Sequence, residues 1–292
     1  MRRCALAMNM GPLLEISHRT VDGGASHAVT IPQFGLGVFL ALSDGTCRQS
    51  CLWALAAGYR HIDTARVYEN EAEVGAAIRE SGIPREEVFI TTKLRRADAT
   101  GFERTLAECD ASLERLGLDF VDLYLIHAPP EDVDARADVW RGMEEVLESG
   151  RSRAIGVSNY GAHHLQALLE RSRYGPAVNQ VEIHPWLQRP ALIEATRAAG
   201  AVPMAYSPLA RGHKVSDRRL AEIASGIGCT PAQAAIAWCL EEGFITIPKS
   251  SDENRITENL AAITITLEDE QRDALTALEE GYISGWDPTV QP

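Results

Sequence analysis

No stretch of this sequence approaches the ~18 consecutive apolar residues of a membrane-spanning helix. The opening Met-Arg-Arg-Cys-Ala-Leu-Ala-Met has the order of a signal sequence, but Asn9, Gly11 and Pro12 interrupt its apolar part. Residues 1–13 are therefore expected to form a flexible tail, and the expected compartment is cytoplasmic. Cations are in short supply: 28 Lys and Arg stand against 41 Asp and Glu, a formal net charge of -13. Such a surface argues against nucleic-acid or anionic-membrane binding, and an anionic ligand would need a local cationic site. Of the six cysteines only Cys47 and Cys51 are close. Their C-x3-C spacing on a predicted helix suits neither zinc nor redox chemistry, so all six read as free thiols in a reducing compartment, with no metal site. No coiled-coil heptad stands out, and the expected state is a monomer.

What is present is ordinary globular composition, 292 residues with 45% hydrophobic and 24% charged. Length alone would allow two domains, but α/β barrels reach this size as one, and residues 14–292 read as a single domain. Residues 14–31 read as two short strands around Asp22-Gly23-Gly24, a hairpin signal. Apolar strand runs follow at 34–38, 60–63, 88–92, 120–126, 154–158, 178–183, 202–206 and 244–247. Helical stretches lie between them at 46–57, 71–80, 102–115, 138–148, 162–171, 190–199, 217–225 with 231–241, and 253–261. A last helix is expected at 267–279.

Eight strand-then-helix units in succession predict a parallel sheet with right-handed crossovers. Short strands, apolar throughout, suit a sheet buried on both faces. The fold class is therefore α/β: a closed (β/α)8 TIM barrel with an N-terminal β-hairpin and an extra C-terminal helix. An open doubly wound sheet would carry a glycine-rich phosphate loop after its first strand. Gly35-Leu36-Gly37-Val38-Phe39-Leu40 lacks the third glycine of that fingerprint.

Active sites of such barrels lie at the C-terminal strand ends. The polar residues there are Asp63, Lys93, His127, Ser158 with Asn159, Gln180 with Glu182, Tyr206 with Ser207, and Lys249 with Ser250. Each alone has a bland reading: Asp63 as a helix cap, Lys93 as a solvated loop lysine, His127 as a strand end. Together with Tyr68, an acid, a phenol, an amine and an imidazole from distant segments converge on one mouth. A carbonyl reduced by hydride develops negative charge on oxygen and then needs a proton. A phenol can supply it, although an unperturbed tyrosine (pKa ~10) is a poor acid at neutral pH. A nearby ammonium is expected to lower that pKa, with Asp63 holding Lys93 as an ion pair and His127 orienting the substrate oxygen.

Seven motifs now resemble one family in its own order. They are Asp63-Thr64-Ala65-Arg66-Val67-Tyr68-Glu69-Asn70-Glu71, Thr91-Thr92-Lys93-Leu94, Leu123-Tyr124-Leu125-Ile126-His127, Ile155-Gly156-Val157-Ser158-Asn159, Asn179-Gln180-Val181-Glu182-Ile183-His184-Pro185, Tyr206-Ser207-Pro208-Leu209 and Ile247-Pro248-Lys249-Ser250. The sequence resembles an aldo-keto reductase over about 31–287. The resemblance implies a catalytic tetrad of Asp63, Tyr68, Lys93 and His127, with Tyr68 as proton donor. It implies NADPH bound in extended form: Ser158, Asn159 and Gln180 at the carboxamide, Tyr206 stacked on the nicotinamide, and Ser207 and Leu209 along the pyrophosphate. Lys249, Ser250 and Arg255 would hold the 2′-phosphate, with Glu258 and Asn259 near the adenine. Gly37, Val38 and Asp63 join this cofactor-binding set. A cationic pair at a helix start suits a phosphate, although Asp252, Glu253 and Glu258 leave that segment without net positive charge.

The sequence departs from many relatives at Ala128, where Trp is frequent, and at Phe39 and Val38. The loops after Tyr206 and His127 and the tail beyond Tyr282 are short. A shallow, open pocket is expected, bordered by Phe39, Tyr68, His127 and Trp286, suited to small aldehydes, ketones or diketones. Arg211 reads either as a preference for an acidic or sugar-acid substrate or as a solvated loop-tip residue. The leading expectation is NADPH-dependent carbonyl reduction. The alternatives are an NADPH-binding, non-catalytic redox-sensing or regulatory subunit, and a non-redox barrel enzyme using Lys93 as a Schiff base.

Overall fold

The computed structural model describes residues 11–20 and 22–291. Most of the expected N-terminal tail, with Cys4, lies outside the described residues. The chain is tied to the fold by Pro12, whose carbonyl accepts from Gln33 N at 2.9 Å. Leu13 is already in a strand, so the tail boundary falls earlier than residue 13. A hairpin comes first, β1 (Leu13–Arg19) pairing antiparallel with β2 (Ala25–Pro32).

The barrel strands are β3 (Leu36–Gly37), β4 (His61–Asp63), β5 (Phe89–Leu94), β6 (Val121–Ile126), β7 (Ser152–Ser158), β8 (Val178–Glu182), β9 (Val202–Tyr206) and β10 (Ile245–Ile247). Each is hydrogen-bonded in parallel to its sequence neighbour, and the bridges Phe34–Thr246 and Gly37–Lys249 join first to last. This is the (β/α)8 barrel. β3 is shorter than the apolar run 34–38. A Cβ at Gly37 would lie 2.9 Å from the carbonyl oxygen of Ile247, so glycine permits the closing contact.

The helices are α1 (Thr46–Ala57), α2 (Glu71–Ser81), α3 (Phe102–Leu116), α4 (Ala135–Glu148), α5 (Ala162–Leu169), α6 (Pro190–Ala198), α7 (Arg218–Ile227), α8 (Pro231–Glu241), α9 (Glu253–Ala261) and α10 (Asp269–Thr276). They form the outer ring. α2 and α3 cross so closely that a Cβ at Gly75 would meet the Leu116 oxygen at 1.8 Å.

Period-two alternation divides every barrel strand between two environments. Ile62, Ile90, Tyr124, Ile126, Ile155 and Val157 pack against the helices. Phe89, Leu123, Leu125, Val178, Met204 and Ile245 cluster with Ile16, Val29 and Ile31 of the hairpin. The hairpin closes the N-terminal end, where His18 meets the Gly175 oxygen at 2.8 Å and accepts from Ile155 N. One layer higher, the same inward alternation places Asp63, Lys93, Ser158, Gln180 and Tyr206 at the open end.

The tail after α10 crosses that open end. Ser284 N donates to Glu182 Oε1 at 2.9 Å, Arg189 pairs with Asp287 at 3.0 Å, and Arg96 donates to Gln291 Oε1 at 2.9 Å. Among the described residues no single helix is long and apolar enough to cross a membrane. The five described cysteines are free thiols.

Candidate active site

Asp63 ends β4 pointing inward, and Lys93 does the same on the neighbouring β5. Lys93 Nζ donates to Asp63 Oδ1 at 2.5 Å and to the Thr64 oxygen at 2.8 Å. Both side chains are almost fully buried. Burial pushes the Asp63 carboxyl up and the Lys93 amine down, and each partner's charge pulls the other back. Gln180 Nε2 satisfies the second carboxylate oxygen at 2.7 Å. A buried pair of this kind is tolerable only because its remaining polar atoms are also bonded.

Tyr68 stands over this pair. It sits on a short helical turn, Arg66–Tyr68, between β4 and α2. Lys93 Nζ lies 5.1 Å from the Tyr68 ring centroid, and the His127 ring meets the tyrosine edge-on at 5.5 Å. Phe39 packs on the other side of Tyr68 at 5.1 Å. Among the described residues, neither the Tyr68 hydroxyl nor the His127 ring nitrogens hydrogen-bond to protein. Burial, with the Lys93 charge, pushes the His127 pKa down to about 3, so this imidazole is neutral.

The expected lowering of the Tyr68 pKa is not found. Burial pushes the phenol well above its ordinary value, with the Asp63 carboxylate adding to the rise and the Arg211 guanidinium opposing it. The Lys93 ammonium is already engaged by Asp63 and the Thr64 carbonyl.

One groove of about 940 Å³ runs from this cluster across the barrel mouth to the start of α9, within the ordinary size of ligand sites. Of the residues expected at a cofactor, Gly37, Asp63, Ser158, Asn159, Gln180, Tyr206, Ser207, Leu209, Lys249, Ser250, Arg255, Glu258 and Asn259 all line it. Phe39, Tyr68, His127 and Trp286 line its catalytic end. The Val38 side chain does not reach the groove; it is buried in the core between barrel and helices.

Several lining groups bond one another. Asn159 Nδ2 donates to the His127 oxygen at 2.9 Å, and its Oδ1 accepts from the Tyr206 hydroxyl at 3.0 Å. Ser158 Oγ donates to the Gln180 oxygen at 2.9 Å. The Gln180 amide nitrogen is engaged by Asp63, which leaves its carbonyl for a ligand.

At the far end two of the three acids are engaged by other groups. The Asp252 carboxylate caps α9, accepting from Arg255 N at 2.9 Å, and Glu258 accepts from Thr230 Oγ1 at 2.7 Å. Lys249 and Arg255 are exposed and pair with no carboxylate among the described residues. A cationic pair at a helix start, with Asp252 and Glu258 otherwise engaged, fits an adenosine 2′-phosphate.

Asn70 is a positioning residue that sequence reasoning placed only at a helix start. Its Nδ2 donates to the Val38 and Ala41 oxygens at 3.0 and 3.1 Å, and its Oδ1 accepts from Thr64 Oγ1 at 2.7 Å. It thereby ties the segment carrying Tyr68 to the segment carrying Phe39.

Residues 49–280 match the sequence profile of the Aldo/keto reductase family. The chain belongs to that family. It is 42% identical over 265 residues to the 9,11-endoperoxide prostaglandin H2 reductase of Trypanosoma cruzi, covering 90% of this chain and 93% of the relative. The glyoxal reductase of Bacillus subtilis is 43% identical over 262 residues, with 90% and 94% covered. Among solved structures, the Bombyx mori aldo-keto reductase in complex with NADP superposes with a TM-score of 0.82 at 32% identity, covering 94% of each chain. This aldo-keto reductase is thus an oxidoreductase of a family that acts on carbonyl substrates with a nicotinamide nucleotide.

Proposed function

We propose that this aldo-keto reductase reduces small aldehydes and ketones to alcohols with NADPH, and that Tyr68 donates the proton. The observation that carries this reading is the pair of unpartnered groups at the groove: the Tyr68 hydroxyl and the neutral His127 ring, 5.5 Å apart between centroids and above the Asp63–Lys93 pair. Bound NADPH would supply the hydride. His127, neutral, donates a hydrogen bond to the carbonyl oxygen and fixes its direction. Negative charge developing on that oxygen makes it increasingly basic as the hydride arrives, and Tyr68 is the group placed to give it a proton. The raised pKa keeps Tyr68 protonated throughout the neutral range. Lys93, held by Asp63, offers positive charge beneath the phenolate as it forms.

Gln180, Asn159, Ser158 and Tyr206 line the path expected for the nicotinamide, and Ser207 and Leu209 that of the pyrophosphate. The free cations Lys249 and Arg255 support NADPH over NADH. The exposed Phe39, Leu40, Val67 and Trp286 around the mouth support small carbonyl substrates entering an open site.

The test is NADPH oxidation by the purified protein on a panel of short aldehydes and dicarbonyls, beside Tyr68→Phe. The variant should bind NADPH with the parent affinity and lose 10²-fold or more in turnover, the usual worth of a positioned general acid. NADPH binding without reduction of any carbonyl would sink the enzymatic reading and favour a regulatory subunit. Near-parent turnover by the variant would displace Tyr68 as donor.

A further inference from the structure

Glu71 is a buried carboxylate that the chemistry above does not use. It is the first residue of α2, three positions after Tyr68, and is 1% exposed. Its Oε1 accepts from Thr92 Oγ1 at 2.6 Å, and its Oε2 from Arg115 Nε at 2.6 Å. Thr92 directly precedes Lys93 on β5. The alternation that turns Lys93 into the barrel turns Thr92 out towards the helices, where Glu71 meets it. One side-chain bond therefore joins the segment bearing the phenol to the strand bearing the ammonium.

The anchor behind that bond is rigid. α2 is locked onto α3 where Gly75 meets the Leu116 oxygen, and Arg79 Nη1 donates to the same oxygen at 2.9 Å. Arg115, on α3, donates from Nη2 to Ser112 Oγ at 2.9 Å, which fixes the direction of its Nε towards Glu71. Between Tyr68 and α2 the chain turns through Glu69, a non-glycine residue at φ 58. Such a conformation persists where its surroundings enforce it, and Asn70 and Glu71 hold its C-terminal side. The Glu71 charge also reaches Lys93: burial pushes that amine down, Asp63 opposes the shift first, and Glu71 adds to the opposition.

Stability alone is a poor reason for an acid at this place. A buried ion pair loses its hydration, and apolar residues of similar volume often serve the fold as well or better. An apolar residue offers Thr92 no acceptor.

We propose that Glu71 is a positioning residue for proton transfer: by accepting from Thr92 it fixes the turn that carries Tyr68 against the strand that carries Lys93, and so holds the phenol over the ammonium. This inference rests on the reduction proposed above, with Tyr68 as donor, and extends it to a residue outside the groove.

The experiment measures turnover of a short aldehyde with NADPH, in light and heavy water, for the parent, Thr92→Val, Glu71→Leu/Arg115→Met and Glu71→Gln/Arg115→Met. Neither double variant strands a charge, so both should melt near the parent temperature. Thr92→Val and the leucine double variant should lose about tenfold or more in kcat, since misplacement by about an ångström costs up to about 10²-fold. The aldehyde KM and NADPH affinity should hold, because the groove lining is intact. The solvent isotope effect should rise, as a misplaced acid makes proton transfer a larger share of the barrier. The glutamine double variant keeps an acceptor for Thr92 and should recover most of kcat. The proposal is overturned if the leucine double variant turns over like the parent, if glutamine recovers nothing, if NADPH affinity falls in step with kcat, or if the loss comes without a larger solvent isotope effect. If the leucine double variant does not fold, Thr92→Val decides on the same readings. If the parent reduces no carbonyl, or Tyr68→Phe keeps parent turnover, the reduction reading fails separately. Crystal structures of the parent and Thr92→Val then still decide: a Tyr68 ring centroid displaced from its 5.1 Å distance to Lys93 Nζ supports the role of Glu71, and an unmoved ring overturns it.

Discussion

Lys93 is joined to Asp63 at 2.5 Å in a space almost without solvent, with Gln180 and the Thr64 carbonyl completing the hydrogen bonds of the pair. Removing either partner strands a buried charge, which is far more damaging than removing both. Lys93→Met and Asp63→Asn are each expected to destabilise the protein by about 3–5 kcal/mol. The double variant should lose less than the sum, because neither charge then remains alone. Urea denaturation of the four proteins measures this coupling, and strict additivity would count against an obligate pair. Reduction should be lost in all three variants: Lys93→Met and the double variant remove the positive charge beneath Tyr68, and Asp63→Asn removes the carboxylate that holds it there.

Stability should fall on mild acidification, and buried histidines are the reason. Burial lowers His18 to about 4 and His61 and His127 to about 3. In the unfolded chain these rings take a proton near pH 6.5; in the folded protein they do so only near 3 to 4. Across that window the unfolded state holds more protons, so stability is full above about 6.5 and declines as pH drops through it. For His18 alone the decline amounts to about 3 kcal/mol by pH 4. Thermal melts from pH 7 to 4 should descend, and His18→Gln should make the slope shallower. A flat profile for the parent would contradict the burial argument.

How much of this was legible in the sequence follows from the range of the interactions. The barrel was readable because short apolar strand runs and helical stretches are local signals, and glycine or polar breaks mark their ends. Asp63, Lys93, Ser158, Gln180 and Tyr206 were legible as the polar residues at the C-terminal ends of those apolar runs. The role of Asn70 was not readable: its amide bonds backbone 32 and 29 positions away. The direction of the Tyr68 shift was misjudged because burial, which no spacing reveals, outweighs the ammonium that Asp63 already engages. Val38 was expected at the cofactor, but in a closed barrel its side chain turns outward into the helix layer.

Asn70 yields a prediction that separates positioning from chemistry. Asn70→Ala would leave the Val38 and Ala41 oxygens and the Thr64 hydroxyl without their partner, each at a cost of about 1–3 kcal/mol when buried. Stability should drop, and turnover should fall because the segments bearing Tyr68 and Phe39 lose their shared anchor. NADPH affinity should change much less, since Lys249 follows β10 and Arg255 lies on α9, away from the hydrogen bonds that Asn70 makes. Asn70→Asp keeps the acceptor for Thr64 but sets a buried carboxylate oxygen against the Val38 and Ala41 oxygens, and should be at least as damaging as alanine. Equal loss of turnover and NADPH affinity in Asn70→Ala would mean a general unfolding effect instead.

The two exposed cations at the far end of the groove give the test of cofactor choice. Asp252 is occupied as the cap of α9 and Glu258 by Thr230, so neither neutralises Lys249 or Arg255. A phosphate held by both would gain two charge-assisted contacts that a ribose hydroxyl cannot match. The double variant Lys249→Ala/Arg255→Ala is expected to weaken NADPH binding by about 100-fold or more, at the ~1.5–3 kcal/mol typical of each hydrogen bond to a charged group. NADH binding should change only a few-fold. Fluorescence titration with both nucleotides reads the two effects side by side. A similar loss for NADH would show that these side chains stabilise the α9 segment generally, and an unchanged NADPH affinity would place the phosphate elsewhere in the groove.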